Sequence, residues 1–418
     1  MNLKERMRDL CDRTKKASYS LASENTEIKN KILRTTADNI LDQETRIREE
    51  NKKDLDAGRK AGLSSALLDR LELTEKRIHA MAEGLRTIAD LKDPVGEILH
   101  EQTRPNGLVI RKIRVPIGVI CIIYESRPNV TADAAGLALK SGNAVILRGG
   151  KEAVHSNRVI AGIIRDSIQQ CGSNPDLVGF VDTEDREAVK WLLQAEAFID
   201  MVIPRGGEGL TRAVAELSRI PVLKHYNGIC HVYVDRDADQ NMASNIVMNA
   251  KTQRPGVCNA IETLLVDKAI AKTFLPDMIK QLEDKGVEIR GCPETKSLAN
   301  HIKDATEKDW STEYLDLILS VRVVENIEEA VKHINTFGSR HSDAIVTKNK
   351  NTADRFMKDV DSATVYVNAS TRFTDGFEFG MGAEMGISTD KLHARGPVGL
   401  EELTTYKYCI VGHGQIRT

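Results

Sequence analysis

Ile117-Gly-Val-Ile-Cys-Ile-Ile123-Tyr-Glu-Ser-Arg-Pro-Asn-Val130 is the stretch that decides how this chain is read. Its first seven residues form an apolar, β-branched run of strand length, and the Arg-Pro-Asn that follows imposes a loop. The pattern recurs at Ala144 to Leu147, Leu177 to Val181, Phe198 to Ile203 and Pro221 to Lys224, with segments between them, such as Glu152 to Cys171 closed by Gly172, that read as helices. Apolar runs without polar alternation belong to strands covered on both faces. The alternation with helices therefore predicts an α/β fold, a doubly wound parallel sheet with right-handed crossovers. Such sheets bind ligands beyond the carboxyl ends of their strands. The loops expected there are Tyr124 to Val130, Arg148-Gly-Gly-Lys151 and Pro204-Arg-Gly-Gly-Glu-Gly209. Glycine lets backbone N–H groups approach phosphate oxygens at a helix N-terminus, and cations add charge. Arg148, Gly149, Lys151, Arg205, Gly206 and Gly207 are thus candidate contacts to a phosphate-bearing ligand, although no complete Gly-x-Gly-x-x-Gly is present and ordinary tight turns are the alternative.

The alternation resumes downstream. Ile229 to Val234, Glu262 to Val266, Leu315 to Val324, Ala344 to Val346 and Ala363 to Asn368 read as strands, with helices at Met242 to Ala250 and Ile327 to Thr336. A second α/β lobe follows, and two lobes predict a cleft. Upstream, Leu3 to about Leu91 is charged and amphipathic, a helical layer with a solvated face. Glu97 to Glu101 and Leu108 to Val115 flank the turn Arg104-Pro-Asn-Gly107 as a hairpin, and Leu403 to Val411 returns as a late strand. A long ribbon edge must be covered, which predicts a subunit partner.

At 418 residues the chain is long enough for two or three domains. Lys and Arg total 59 against 61 Asp and Glu, a net charge of -2, so there is no electrostatic reason to expect nucleic acid or an anionic membrane. Seven scattered cysteines without a Cys-x-x-Cys pair suit neither a disulfide framework nor a structural zinc site, and predict a reducing, cytoplasmic setting with no metal. The longest apolar run, Val115 to Tyr124, is too short to span a bilayer.

One thiol stands apart. In Lys251-Thr-Gln-Arg-Pro-Gly-Val-Cys258-Asn-Ala-Ile-Glu-Thr-Leu-Leu-Val266, Pro255 ends a helix, a β-rich run follows, and Cys258 falls on the connection. A small buried hydrophobe is the plain reading of a cysteine. An exposed nucleophile is the functional one, and it needs a positive neighbour to ionise, for which Arg254 and Lys251 are nearest in sequence.

Three stretches carry a family resemblance. They are Gln253-Arg-Pro-Gly-Val-Cys258-Asn; the run from Val324 through His333, Phe337-Gly-Ser339-Arg-His341-Ser-Asp343 to Ile345; and Phe379-Gly-Met-Gly-Ala-Glu-Met-Gly-Ile-Ser388 with His393-Ala-Arg-Gly-Pro-Val-Gly399. From end to end the chain resembles the aldehyde dehydrogenase superfamily and, within it, the γ-glutamyl phosphate reductase (glutamate-5-semialdehyde dehydrogenase) family. Phe337 departs from that pattern, standing where His or Tyr is usual.

The resemblance implies two doubly wound α/β domains plus a β-hairpin oligomerisation flap: an NADPH-binding domain over 1–228, with 97–116 contributing to the flap, a catalytic domain over 229–369, and a C-terminal loop and oligomerisation strand over 370–418. It implies NADPH-dependent reduction of L-glutamyl 5-phosphate to L-glutamate 5-semialdehyde through a thioester on Cys258, in a homo-oligomer, and it is compatible with a complex with glutamate 5-kinase. The oxyanion needs donors such as the Cys258 backbone N–H, with Ser126 or Asn129 where oxidising relatives carry an Asn. Arg254, Asn227, His393 and Arg395 are candidates for holding substrate, and Glu313 for the nicotinamide ribose. Lys151 stands where NAD-preferring relatives place a carboxylate, which with Arg148 favours the 2'-phosphate of NADPH. His225 stands where oxidising relatives carry the Glu that activates water. An NAD(P)-dependent dehydrogenase acting on a small semialdehyde is the alternative.

Overall fold

A computed structural model describes residues 1–417, and the chain divides into two compact units. The first comprises Met1–Lys224, Gly380–Gly386 and the residues from Val398 onward; the second comprises His225–Phe379 and Ile387–Pro397. The stretch 370–418, expected as a part of its own, is shared between them.

In the first unit the charged N-terminal sequence forms five helices, Leu3–Leu21, Thr26–Asp42, Glu44–Lys60, Ser65–Leu71 and Glu75–Asp90. Four of them start on a side-chain cap, Asn2, Asn25, Ser64 and Thr74, each accepting from a backbone N–H of the first turn. Their apolar stripes are buried, for example Ile32, Leu33, Ala37 and Ile40. Strands β1 (Ile98–Thr103) and β2 (Val109–Pro116) form the hairpin. β3 (Val119–Tyr124), β4 (Ala144–Arg148), β5 (Val178–Phe180) and β6 (Met201–Arg205) form a parallel sheet in the order β5-β4-β3-β6. Every residue of β3 is buried, as its unbroken apolar run requires. The strand expected at Pro221 to Lys224 reduces to a single bridge, Val202 to Val222. Pro221 has no N–H to give, and after Lys224 the chain passes to the second unit.

The C-terminal strand Thr404–Val411 pairs antiparallel with β2, opposite β1. Arg114 ties this ribbon together, bonding Glu97 at 3.1 Å and Glu401 at 3.0 Å. Ile98, Leu99, Tyr406, Tyr408, Ile410 and Val411 are exposed on its edge strands.

The second unit holds a seven-stranded parallel sheet built from β7 (Cys230–Val234), β8 (Ile261–Asp267), β9 (Glu288–Gly291), β10 (Lys303–Asp304), β11 (Ile318–Val324), β12 (Ser342–Val346) and β13 (Thr364–Val367). Their order is β10-β9-β11-β8-β7-β12-β13. The helix Gln240–Thr252 connects β7 to β8 and Lys268–Glu283 connects β8 to β9, packing Ala243, Val247, Phe274 and Met278 on the sheet. β9 and β10 have no counterpart in the sequence reading, because they are short and carry charges in place of an apolar run. β11 begins three residues later than expected; Leu315 turns with a φ of 54° before it.

Candidate active site

The turn carrying Cys258 is held at both ends by one buried ion pair. Lys251, in the last turn of the helix, meets Glu262, second residue of β8, at 2.7 Å, and both side chains are fully buried. Burial pushes the Lys251 ammonium down and the Glu262 carboxyl up to about 7. Glu262 also accepts from the Leu315 N–H at 3.2 Å. Lys251 is therefore committed to Glu262. Between these anchors Gln253, Arg254 and Gly256 are exposed, Cys258 is half-buried, and Asn259 and Ala260 are buried.

Gly228, just ahead of β7, crosses this turn so closely that a Cβ on it would lie 1.8 Å from the Cys258 carbonyl oxygen and 2.5 Å from its Cα. Only glycine fits. Its N–H donates to Glu313 Oε1 at 2.7 Å, so the carboxylate expected at a nicotinamide ribose here holds the 225–228 loop against the cysteine.

Two imidazoles accompany the thiol. His225 Nδ1 lies 2.9 Å from the Ile387 carbonyl oxygen. A carbonyl only accepts, so Nδ1 carries a proton. His341, at the entry to β12, is fully buried; its Nδ1 is 2.9 Å from Ser342 Oγ and 3.6 Å from Cys230 Sγ, and its Nε2 has no hydrogen-bond partner. Burial pushes its pKa down to about 3, so it is neutral. The two rings meet edge to face with centroids 5.6 Å apart, and one ligand-type atom from each of His225, Cys258 and His341 lies within 4.8 Å of the others. The cluster thus sits where the chain enters β7, β8 and β12, at the amino ends of the strands.

Cations come from an unforeseen direction. Arg372, from a segment following β13, donates to Gln253 Oε1 at 2.8 Å and to Asn259 Oδ1. Burial and then Arg254 push its guanidinium pKa down, while Cys258 opposes this, so Arg254, Arg372 and Cys258 are electrostatic neighbours. Arg254 itself is exposed. Asn227 is half-buried beside Gly228 and His393 is exposed. Arg395 is tied to Asp361, bonding its carbonyl oxygen at 2.9 Å and its carboxylate at 3.0 Å.

In the first unit the carboxyl ends of β3 and β4 border a cavity of about 680 Å³ lined by Ser126, Arg148, Lys151, Glu152, Arg186 and the start of the helix Glu208–Leu217 among others. Ser126 has a φ of 48°, and its N–H and hydroxyl both donate to Glu152 Oε1, at 2.7 and 2.9 Å. Asn129 donates to Asp133 at 2.9 Å, whose carboxyl burial pushes up to about 6. Arg148 bonds the carbonyls of Gly149 and Glu184, and its Nε is buried with no partner. Lys151 is exposed. Gly149, Arg205, Gly206 and Gly207 are not among the lining residues. The Gly207 N–H, at the start of the helix Glu208–Leu217, donates to Glu125 at 3.0 Å, so a carboxylate of the chain stands where a phosphate was expected.

The aldehyde dehydrogenase family model matches residues 4–296 and 304–408. A γ-glutamyl phosphate reductase from Thermodesulfovibrio yellowstonii is 53% identical over 417 residues, the full length of both chains. The chain belongs to the γ-glutamyl phosphate reductase family of aldehyde dehydrogenases. A second member, from Caldanaerobacter subterraneus subsp. tengcongensis, is 56% identical over 97% of this chain and 98% of its own. The crystal structure of γ-glutamyl phosphate reductase from Thermotoga maritima covers 99% of the chain and 100% of its own at 45% identity, with a TM-score of 0.97. The protein is an oxidoreductase of this family, and the α/β class with antiparallel flap strands expected from the sequence is the fold found. Among the described residues no helix is long and apolar enough to cross a membrane.

Proposed function

We propose that the protein reduces L-glutamyl 5-phosphate to L-glutamate 5-semialdehyde with NADPH, releasing phosphate, the second step of proline biosynthesis. The observation that carries the proposal is a half-exposed thiol flanked by His225 and His341, with an imidazole at 225 where a hydrolytic dehydrogenase needs a carboxylate. Arg254 and Arg372, the charged neighbours of Cys258, favour its thiolate. The thiolate attacks the acyl carbon, the carbon–oxygen bond to phosphate breaks, and a thioester on Cys258 remains. The two arginines are charged partners for the departing phosphate. The Cys258 backbone N–H is a donor for the oxyanion.

The cavity at the ends of β3 and β4 fits a phosphate-bearing nucleotide: Arg148 Nε is a buried donor without a partner, and Lys151 adds an exposed cation. Arg148 and Lys151 would hold the 2'-phosphate of NADPH, which when bound supplies the hydride. The apolar edge strands of the ribbon support a homo-oligomer in which flaps of different subunits cover each other.

Cys258→Ala tests the reading. Turnover should fall below about a thousandth of wild type, the scale of nucleophile deletions, while NADPH binding, followed by its fluorescence, stays nearly intact. Substantial residual reductase activity would reject Cys258 as the nucleophile.

A further inference from the structure

We propose that His225, Cys258 and His341 form a binding site for a borderline-soft divalent cation of the Zn²⁺ type, which masks the thiol reversibly. The donor set is one sulfur and two imidazoles, the ligands Zn²⁺ and Co²⁺ take in tetrahedral sites. Their candidate atoms lie within 4.8 Å of one another. Bond lengths to zinc place tetrahedral ligand atoms about 3.5 Å apart, so the three need to close by roughly 1 Å.

The surroundings are arranged for this. His225 Nδ1–H donates to the Ile387 carbonyl, the kind of outer contact that orients a metal-binding imidazole. His341 is fully buried with Nε2 unpartnered, while Ser342 and Cys230 fix its other nitrogen. With three protein ligands and a half-buried cysteine, the fourth position falls to water. On binding, the Cys258 S–H bond breaks, its proton goes to solvent and a sulfur–metal bond forms, with no change of oxidation state. Binding needs only these three side chains; masking also rests on Cys258 being the nucleophile.

The test uses the full-length, reduced, metal-free protein, titrated with Co²⁺ and then with Zn²⁺ as competitor. One equivalent of Co²⁺ should bind with a thiolate-to-cobalt charge-transfer band and d–d bands of tetrahedral intensity, and Zn²⁺ should displace it. Cys258→Ser should remove the charge-transfer band. His225→Ala and His341→Gln should each weaken Zn²⁺ binding at least about tenfold, and should His341→Gln not fold, His225→Ala decides. No stoichiometric uptake, a charge-transfer band that survives Cys258→Ser, or Zn²⁺ affinity unchanged in the histidine variants would overturn the site. A protein that reduces glutamyl phosphate yet takes up no cobalt overturns the metal site alone, and one that binds cobalt but does not turn over overturns the proposed reaction alone.

Discussion

Gly228 passes Cys258 with no room for a side chain, and the constraint is steric. Gly228→Ala would place a methyl group 1.8 Å from the Cys258 carbonyl oxygen, so the 225–228 loop or the cysteine turn must move. A displacement of about 1 Å at a reacting centre costs on the order of a hundredfold in rate. Gly228→Ala should therefore lower kcat/KM by about that factor and leave NADPH affinity unchanged; kinetics within twofold of wild type would show that the crossing is not needed. Cys258 was legible in the sequence because a helix, a proline and a β-rich run bracket it locally. His341 and Arg372 were not. His341 reaches the thiol because β12 pairs with β7, and Arg372 because the chain after β13 folds back onto Asn259. No spacing along the chain encodes either contact.

The helix Gln240–Thr252 and β8 are joined across the turn by Lys251 and Glu262, and a half-removed buried pair is far worse than none. Glu262→Ala should lower unfolding free energy by about 3–5 kcal/mol, measured by urea denaturation, whereas Lys251→Met with Glu262→Leu should restore much of it. A loss under about 1 kcal/mol in the single variant would mean that the lysine finds other solvation. In the proposed reading, the loop after β4 sets cofactor choice. Lys151→Glu should shrink or reverse the preference for NADPH over NADH, an ion pair worth roughly 1 to 3 kcal/mol, or about ten- to a hundredfold in affinity. Steady-state efficiencies with both cofactors check this; equal wild-type efficiencies contradict it. Strands such as β3 and β8 were readable because burial on both faces leaves an unbroken apolar run. β9 and β10 escaped because their charged residues pair sideways, as Arg290 does with Glu288 at 2.9 Å and Asp309 at 2.7 Å.

Across the molecule, each sheet presents its candidate residues at a different end: carboxyl ends of β3 and β4 for the proposed nucleotide cavity, amino ends of β7, β8 and β12 for the thiol cluster. General rules for open sheets anticipate the first and not the second. The flap was legible as a ribbon with an edge to cover, and its exposed Tyr406, Tyr408 and Ile410 keep that requirement in view. The proposed function joins a thioester on Cys258 to a position 225 that carries an imidazole in place of a water-activating carboxylate. In the reverse of the proposed reaction, glutamate semialdehyde would be captured on Cys258, hydride would pass to NADP⁺, and the acyl group left behind would have to be removed by inorganic phosphate. General-base assistance is worth about a hundred- to ten-thousandfold, so the contrast is large. The deciding measurement is steady-state NADPH formation from glutamate semialdehyde and NADP⁺ with and without phosphate. At most one NADPH per site should form in phosphate-free buffer, with turnover restored by phosphate or arsenate. Rapid multiple turnovers without either would contradict the phosphate-dependent thioester and make the protein an ordinary hydrolytic dehydrogenase.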